Sequence, residues 1–334
     1  MKKLLAPVAL ALVMTIAFVA PAGAATNDTY RARQWGLDKI NAEAAWATTN
    51  GTGAVIAVVD SGVDMTHPDL QANLLSTGRD FVDNDNNPQD ENGHGTHVSG
   101  IAAAVTNNGI GVAGTAPGAK VLPVRVLDAD GSGSTDDVAA GIRYAADNGA
   151  DVINLSLGVL SGVDKIAKLI GDLDPIYEAI DYAWNRGVVV VVAAGNDTVP
   201  LCSEPSAHDK VLCVGATDSG DLRTFYSNGD ATMTSKYLVA PGGSGLSCAG
   251  DIFSTYLRSE ETFCSPEAGY EALAGTSMAT PFVAGVAALL VAKGDTNVQV
   301  VNCIIATTDD LGTPGRDPVY GYGRLNAQRA AATC

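Results

Sequence analysis

The chain has 334 residues, with 37 acidic side chains against 20 basic ones and a net charge of −17 at pH 7. Hydrophobic residues make up 46% of the chain and charged residues only 17%, a composition that excludes a long disordered polyampholyte. The acidic balance argues against nucleic acid as a partner, because phosphates would repel it, and disfavours binding to an anionic membrane surface.

The N-terminus has the features of a targeting segment. Two lysines precede an apolar stretch over residues 4–19, and the small residues at 22–24 match the pattern that signal peptidase cleaves. We therefore expect a signal peptide over 1–24 and a secreted mature chain over 25–334. An uncleaved membrane anchor is the alternative, which the cleavage pattern disfavours. No later run is long and apolar enough to span a bilayer, so no membrane contact is expected after cleavage.

Six cysteines occur in the predicted mature chain. After export they would lie in an oxidising compartment, where an even number indicates disulfide bonds. Six cysteines allow about 15 pairings, and the sequence does not choose among them. Sequence neighbours give the shortest loops: Cys202 with Cys213, Cys248 with Cys264, and Cys303 with Cys334. A cysteine metal cluster is disfavoured, because no Cys-x-x-Cys pair is present.

Along the mature chain, short apolar runs alternate with segments of helical pattern. This alternation predicts an α/β fold, with a doubly wound, mainly parallel sheet covered by helices on both faces. The predicted strands cover residues 54–59, 121–127, 152–155, 188–192 and 211–214. The predicted helices cover 98–105, 136–147, 176–185 and 276–293, the last of them apolar and expected to be buried. No repeat or Pro- or Ser-rich linker divides the chain, so we expect a single domain.

Polar residues suited to catalysis lie where these elements begin or end. Asp60 closes the first predicted strand, and His94 lies between glycines just before a helix. Asn196 follows a later strand, and Ser277 begins the long helix. A serine hydroxyl needs a general base within hydrogen-bond reach, and that base needs a carboxylate to fix its tautomer. Taken singly, a strand-end aspartate is usually a turn former and a helix-head serine a cap, but together and in this order they favour a catalytic role.

Three segments carry a family resemblance. The sequences VVDSG at 58–62, HGTH at 94–97 and GTSMATP at 275–281 resemble the three signatures of the subtilases, in the subtilase order of Asp, His and Ser. The resemblance extends over 27–326 and is greatest to thermitase-like members. It implies a subtilisin-like fold and a serine endopeptidase that acts on polypeptides.

The resemblance also implies a role for each of the four residues. Ser277 would attack the peptide carbonyl and form an acyl-enzyme, and His94 would take and return the proton. Asp60 would orient His94, and the Asn196 amide would bind the oxyanion. His97, one helical turn after His94, is expected only to pack or to form a hydrogen bond.

By the same resemblance, two extended segments bind the substrate backbone, and a third forms one wall of the pocket for the residue before the cut. The residues are Gly131, Ser132 and Gly133 in the first segment, Ser156, Leu157 and Gly158 in the second, and Ala193, Ala194 and Gly195 in the wall. Plain strand packing is the alternative for the wall. Glu204, placed near the pocket floor by the resemblance, is expected to favour a basic residue before the cut.

One short acidic loop offers oxygen atoms mostly at alternate positions, as Ca²⁺ prefers. Its residues are Asp80, Asp83, Asp85, Asn87 and Gln89. A second site is indicated by Asp28, Asp69 and Asn108 with the backbone carbonyls of Val105, Ile110 and Val112. The resemblance therefore implies two structural calcium ions and no organic cofactor, with a solvated acidic turn as the alternative for the loop. The second site would clamp the mature N-terminus and suppress self-digestion.

The sequence departs from the family pattern at three places. No propeptide is evident between residue 24 and Asp28. The stretch 159–174 is longer than usual and is expected to add a helical turn over 165–170. Phe282 replaces a common histidine, and we expect it only to pack.

Two alternatives come from other functional classes. A catalytically silent subtilase that serves as a calcium-dependent binding protein is disfavoured, because all four catalytic positions are filled. An esterase or lipase on an α/β-hydrolase fold is excluded, because its serine would precede the acid and the histidine. We therefore expect a monomeric, secreted serine endopeptidase.

Overall fold

A seven-stranded sheet forms the centre of the computed structural model, which describes residues 26–158 and 173–334. Its strands are β1 (Val55–Asp60), β2 (Arg79–Asp80), β3 (Lys120–Arg125), β4 (Val152–Leu155), β5 (Val189–Ala193), β6 (Val211–Thr217) and β7 (Tyr237–Pro241). They lie in the order β2-β3-β1-β4-β5-β6-β7, and all neighbours pair in parallel. Strands β8 (Ile252–Thr255) and β9 (Tyr270–Leu273) form a separate antiparallel hairpin.

Helices cover both faces of the sheet, as predicted. They are α1 (Trp35–Lys39), α2 (Ala42–Trp46), α3 (His94–Ala103), α4 (Thr135–Asp147), α5 (Asp174–Asn185), α6 (Thr276–Val291), α7 (Asn297–Ala306) and α8 (Ala327–Thr333), with a 3₁₀ turn at Arg31–Arg33. Because successive strand residues point to opposite faces, Val58 and Val191 pack on the side of α3 and α6. Val59 and Val190 pack on the side of α4 and α5. The sheet is therefore doubly wound.

The strands predicted from β-branched runs are all present, with ends that differ by a few residues. Strands β2, β7, β8 and β9 were not predicted, because none of them contains a run of β-branched residues. Helix α3 begins at His94 and not at residue 98, since the glycines at 93 and 95 mask its first turn in the sequence. The predicted signal peptide over 1–24 and the predicted helical turn over 165–170 lie outside the described residues.

The order of the strands places a crevice at the end of β1. From β1 the chain builds the sheet first towards β3 and then towards β4, so helices leave the neighbouring strands on opposite faces. Functional groups gather at such a switch point, at the carboxyl ends of the strands. Asp60 is the last residue of β1 and is fully buried there.

Helix α6 runs through the core and starts at this crevice. It contacts α3 and the strands β1, β4, β5, β6 and β7, and nearly all of its residues are buried. Phe282 packs beside Gly36, whose added Cβ would come within 2.6 Å of the phenyl ring, so the packing predicted for this residue is confirmed.

All six cysteines are paired, and each bond joins sequence neighbours: Cys202–Cys213, Cys248–Cys264 and Cys303–Cys334. The pairing with the shortest loops is the one adopted. None of the helices described is long and apolar enough to cross a membrane.

Candidate active site

The side chains of Asp60 and His94 are joined directly. The Nδ1 atom of His94 lies 2.7 Å from Oδ1 of Asp60, which also accepts the N–H of Ser61 at 2.7 Å. The other carboxylate oxygen of Asp60 is buried with no hydrogen-bond partner in the described chain. The imidazole of His94 keeps 26% of its surface exposed, so one side of the pair faces the crevice. This geometry fixes the ring orientation and leaves Nε2 free of Asp60.

The charge around His94 favours the imidazolium form. Burial alone would lower the pKa of His94, but the Asp60 carboxylate, by charge and by hydrogen bonding, and the charge of Asp90 outweigh it. The pKa of His94 is therefore raised above its usual value of 6.5. A base of this kind can hold a proton taken from a hydroxyl and give it back to a leaving group.

Close backbone approach brings the strand and the helix together at this point. A Cβ added to Gly95 would lie 2.1 Å from the Gly62 carbonyl oxygen and 3.2 Å from Cβ of Asp60. Any larger residue at position 95 would push α3 away from β1. The glycine after His94 is thus required for the contact between His94 and Asp60.

Ser277 lies in the first turn of α6, against the residue that follows β4. Its hydroxyl donates to the Ser156 carbonyl at 3.0 Å, and the Ser156 hydroxyl donates to the Ser277 carbonyl at 2.8 Å. The buried Asn154 amide donates to the Ser156 hydroxyl at 2.9 Å and supports this exchange. Since β4 pairs with β1, Ser156 follows the strand next to the one that ends at Asp60, and its hydrogen bonds hold Ser277 at the same end of the sheet. No hydrogen bond joins Ser277 to His94 in the described chain, and the serine hydroxyl instead points to Ser156.

The Asn196 side chain is held at one end and free at the other. Its Oδ1 accepts the Thr276 N–H at 2.9 Å and the Thr276 hydroxyl at 3.1 Å. Its Nδ2 donates no hydrogen bond to the described part of the chain, yet lies 3.5 Å from the position of an added Cβ on Gly275. An amide donor fixed by its oxygen beside the head of α6 can donate to an oxyanion that forms at Ser277.

The predicted substrate-binding segments differ in their exposure. Residues 131–133 are exposed, and 156–158 continue from β4 with increasing exposure. An added Cβ on Gly158 would meet nothing closer than the Glu204 carbonyl oxygen at 4.0 Å, so space is open between these two backbones. On the wall, Ala193 and Ala194 are buried, which agrees with the packing alternative, whereas Gly195 is half-buried.

A buried amide supports the wall. Asn228 donates to the Ala194 carbonyl at 3.0 Å and to the Ser203 hydroxyl at 2.7 Å. The pKa of Tyr177, a residue of α5, is raised mainly by burial and further by a hydrogen bond to Glu204 and by the charge of its carboxylate. The side chain of Glu204 therefore lies close to α5. One of its carboxylate oxygens is buried without a partner in the described chain.

Residues 51–323 match the family model described as the subtilase family. The chain belongs to the subtilase family. This subtilase is 45% identical over 305 residues to thermitase from Thermoactinomyces vulgaris, covering 91% of this chain and 98% of thermitase. It is 39% identical over 299 residues to subtilisin Savinase from Lederbergia lenta, covering 89% of this chain and 97% of that protein.

A solved structure of a protease from Pseudoalteromonas arctica superposes on the subtilase with a TM-score of 0.77. The two chains are 33% identical, and the match covers 92% of this chain and 98% of the other. A thermophilic serine proteinase of a Bacillus species is 43% identical, over 91% of this chain and 68% of its own length. The predicted fold and family are confirmed, and the protein is a serine endopeptidase.

The calcium site predicted near the N-terminus has features that fit a cation. Asp28 accepts the N–H groups of Asn107 and Asn108 at 3.0 and 3.1 Å, and Asp69 accepts the Asn108 amide and the Val112 N–H at 2.7 Å each. Burial, joined by the charge of Asp28, raises the pKa of Asp69 to about 7 in spite of these hydrogen bonds. A buried pair of carboxylates of this kind is relieved by a bound cation.

Backbone oxygens complete the donor set of that site. The three predicted carbonyl ligands accept no hydrogen bond within residues 26–158 and 173–334; they belong to Val105, Ile110 and Val112. Two carboxylates and several carbonyls are the mixture of hard oxygen donors that suits calcium. Across the same ranges, no three His, Cys, Asp or Glu side chains converge in the way a metal cluster would require.

The acidic loop at 80–89 is neutralised in a different way. Arg125, which is 3% exposed, donates to Asp80 at 2.7 Å and to Asp83 at 2.8 Å. Asp85 accepts the N–H of Asn87, and the Gln89 side chain accepts a backbone N–H at position 65. Two of the three carboxylates thus pair with a guanidinium, which fits a cation less well than the first site. A second calcium ion at this loop stays a prediction.

Sequence analysis missed several residues that hold the site together. They are Ser61, Asp90, Asn154, Thr276 and Asn228, which hydrogen-bond the predicted site residues or the backbone beside them. Ser61, Asp90 and Thr276 stand in or near the motifs, but nothing in the sequence marks Asn228, since each of these residues acts through contacts that form on folding. His97 was predicted correctly: its Nε2 lies 3.1 Å from the Ile252 carbonyl and 3.2 Å from that of Glu271.

Proposed function

We propose that this subtilase hydrolyses polypeptides with Ser277 as the nucleophile and His94 as general base and then general acid. Asp60 holds His94 in the tautomer that presents Nε2 as the acceptor and stabilises the imidazolium. The observation that carries the proposal is the 2.7 Å hydrogen bond between Asp60 and His94. It lies at the carboxyl end of β1, and α6 begins beside the same end of the neighbouring strand β4. These roles are those of the subtilase triad and are carried over to this chain by family membership.

The Ser277 hydroxyl changes partner during this reaction. In the structure it donates to the Ser156 carbonyl, so it must rotate towards Nε2 of His94 before it can attack. The rotation frees the Ser156 carbonyl to accept a hydrogen bond from the backbone of an extended substrate. The arrival of substrate and the activation of the nucleophile are thereby coupled.

The oxyanion formed by this attack lies near two donors. We place the Asn196 amide and the Ser277 N–H at the head of α6 in this role, where the helix dipole also favours negative charge. Collapse of the intermediate passes the proton from His94 to the leaving amine and leaves the acyl group on Ser277. Water then releases the acyl group by the same route.

A fluorophosphonate probe tests this assignment directly. Intact mass and peptide mapping should show one adduct, on Ser277, and the Ser277→Ala variant should show none. Casein cleavage should disappear in the same variant. A folded protein that takes no label would contradict the proposal and favour the silent binding protein.

We also propose that one calcium ion binds between Asp28, Asp69 and Asn108, with the carbonyls of Val105, Ile110 and Val112. When bound, the ion supplies positive charge between two buried carboxylates and ties the mature N-terminus to the loop at 105–112. Thermal unfolding of the Ser277→Ala variant, which cannot digest itself, should show a higher midpoint in calcium than in chelator. Asp69→Asn should remove most of that difference, and equal midpoints in the parent variant would contradict the site.

We propose further that the enzyme acts outside the cell as a monomer. Support comes from the N-terminal targeting pattern and from three disulfides, which persist in oxidising compartments. The intact mass of protein from culture medium should match a chain that starts near Ala25. Light scattering should give the mass of one chain, and a dimer would contradict the monomer.

A further inference from the structure

The phenol of Tyr270 lies against the carboxylate of Asp69, one of the proposed calcium ligands, and both side chains are buried. An added Cβ on Gly111 would lie 2.0 Å from Oδ2 of Asp69 and 2.3 Å from the phenol oxygen, so only glycine leaves room for the two groups here. Burial raises the pKa of Asp69, and a hydrogen bond from Tyr270 is among the contacts that oppose this rise. The phenol therefore supports the ionised carboxylate that a calcium ion needs.

The N-terminal segment contacts the same tyrosine. Tyr30, two residues after the proposed ligand Asp28, packs its ring with the centroid 5.2 Å from that of Tyr270 and 5.3 Å from that of Phe253. Its hydroxyl donates to the Glu267 carboxylate at 2.6 Å. Since Phe253 lies in β8, Tyr270 in β9 and Glu267 in the loop between them, the N-terminal segment contacts every part of the β8–β9 hairpin.

A buried histidine makes a third connection between the proposed calcium site and this hairpin. Nε2 of His67 lies 2.8 Å from the Gly269 carbonyl, and its Nδ1 accepts the N–H of Asp69 at 3.2 Å. The His67 ring also meets the Tyr270 ring edge-on, with 5.3 Å between centroids. One imidazole thus holds the backbone of a proposed calcium ligand and the residue that precedes β9.

The hairpin in turn contacts the helices of the candidate active site. The hydroxyls of Ser254 and Thr255 in β8 donate to backbone carbonyls in the first turn of α3, at 2.8 and 2.7 Å. Strand β9 ends at Leu273, and α6 begins at Thr276. The hairpin therefore lies between the proposed calcium site and the helices that carry the proposed base and nucleophile.

We propose that Tyr270 is a positioning residue for the proposed calcium ion and that, through it, calcium binding orders the β8–β9 hairpin. The inference rests on the calcium site proposed above and goes beyond it, because an ion that only tied the N-terminus to the loop at 105–112 would leave the hairpin unchanged. The phenol holds the Asp69 carboxylate in the direction that binds the ion. Coupling of this kind is reciprocal, so an ordered hairpin also raises the affinity for calcium.

Calcium titration of the Ser277→Ala protein, which cannot digest itself, tests the role of Tyr270. Titration calorimetry after treatment with chelator gives the Kd, and the binding event that Asp69→Asn abolishes belongs to this site. We expect Tyr270→Phe to weaken that event at least about tenfold, a usual cost of removing a hydrogen-bond partner of a metal ligand. Tyr182→Phe is the matched control, since it removes a phenol that donates to a carboxylate outside both proposed calcium sites, that of Asp147 at 2.7 Å. It should leave the Kd unchanged.

Hydrogen exchange of the same proteins tests the effect of calcium on the hairpin. In the parent, calcium should slow amide exchange in β8 and β9 as well as in the loop at 105–112. In Tyr270→Phe with saturating calcium, the slowing in the loop should remain, and the hairpin should lose most of its dependence on calcium. The further change Tyr30→Phe, which removes the donor to Glu267, should reduce that dependence again.

Three results would overturn the coupling and leave the calcium site in place. They are an unchanged Kd in Tyr270→Phe, hairpin exchange that calcium does not alter in the parent, and a loss of unfolding free energy in Tyr270→Phe that is equal in calcium and in chelator. The last would give the phenol a purely structural role. A parent without any calcium event that Asp69→Asn abolishes would overturn the site and this inference together. Fluorophosphonate labelling of the unmutated enzyme would still test the proposed catalytic function separately.

Discussion

The carboxylate of Asp90 accepts a hydrogen bond from the Ser61 hydroxyl at 2.9 Å, and the same hydroxyl accepts the N–H of Gly95. Asp90 also accepts the backbone N–H groups of Gly93 and Thr96, each at 2.9 Å. The strand end that carries Asp60 and the helix turn that carries His94 are thus tied to one buried carboxylate. Asp90 is buried, and within the described residues its carboxylate hydrogen-bonds neither His94 nor Ser277 by their side chains, so we regard it as a positioning residue.

This arrangement predicts a shift in pH dependence for Asp90→Asn. His94 must be neutral to act as a base, so kcat/KM falls as the pH drops through the pKa of His94, which is raised above 6.5. Because the negative charge of Asp90 contributes to that rise, its removal should move the acid limb of the profile to lower pH. The rate should also fall, since an amide cannot accept all the N–H groups that Asp90 accepts.

The measurement is kcat/KM against pH with a peptide anilide, between pH 5 and 9. Asp136→Asn, which removes an exposed carboxylate in the first turn of α4, is the matched control and should leave the acid limb in place. An acid limb that stays in place in Asp90→Asn as well would show that Asp90 only supports the structure.

Replacement of Asn196 should reduce turnover more than binding. Asn196→Ala removes the amide donor, and we expect kcat to fall about 10²–10³-fold with little change in KM. That magnitude is known from subtilisin itself and is carried over to this relative. Thr276→Val, which loses the hydroxyl that donates to Asn196 and accepts the Gly195 N–H, should have a smaller effect in the same direction. Equal losses in kcat and in affinity for a substrate analogue would contradict an oxyanion role.

Buried His97 should make the protein sensitive to acid. Burial, with the nearby charge of His94, lowers the pKa of His97 to about 3, whereas the unfolded chain has the usual value of 6.5. As the pH falls below 6.5, the unfolded state takes up a proton at His97 that the folded state does not. The free energy of unfolding therefore decreases steadily between pH 6.5 and about pH 3. The slope from this residue is up to about 1.4 kcal/mol per pH unit.

Urea unfolding of the Ser277→Ala protein at a series of pH values measures this slope. The additional change His97→Gln, which keeps an N–H donor for the carbonyls of Ile252 and Glu271 but does not titrate, should make the slope shallower. An unchanged slope would assign the acid sensitivity to other groups.

Part of the fold could be predicted because some elements are indicated by the sequence pattern of their own residues. Strands such as Val189–Ala193 are continuous apolar runs, and α4 shows both its N-terminal acids and its apolar stripe. The β8–β9 hairpin could not be predicted, because its short strands Ile252–Thr255 and Tyr270–Leu273 mix polar and apolar residues, and their partners are brought together by packing against α3.

The site divides in the same way. Asp60, His94, Asn196 and Ser277 stand in motifs or at element ends, so the sequence could predict them as a site, and their catalytic roles stay a prediction. Asp90 was not found, since its role depends on Ser61, 29 positions away, and on N–H groups that point at it only after folding. The acidic loop was recognised from its sequence. Its contact with the guanidinium of Arg125, 45 positions from Asp80, could not be predicted, because it depends on the pairing of β2 with β3.

The buried ion pair of Arg125 with Asp80 gives a further prediction about stability. Arg125→Met would leave the Asp80 carboxylate, whose side chain is 1% exposed, without its partner. Loss of one member of a buried ion pair typically costs about 3–5 kcal/mol of unfolding free energy, and we expect a loss of this size in chelator. Arg143→Met, which breaks an exposed pair with Glu178, is the matched control and should cost less than about 1 kcal/mol.

Thermal unfolding of both variants and of the parent protein, in calcium and in chelator, extends this test to the loop. If the loop binds calcium, the ion should compensate Arg125→Met and raise its stability more than that of the parent. A gain no larger than that of the parent would contradict a calcium ion at this loop.

The path of α6 through the core has a consequence for the making of the enzyme. Ser277 begins a helix that contacts five strands and α3, and it comes late in the chain, after the residues that carry the acid and the base. A chain still being synthesised, or one cut before α6, contains Asp60 and His94 but lacks the proposed nucleophile and part of the core. With the proposed roles, catalytic competence is therefore expected only after this helix has packed against the sheet.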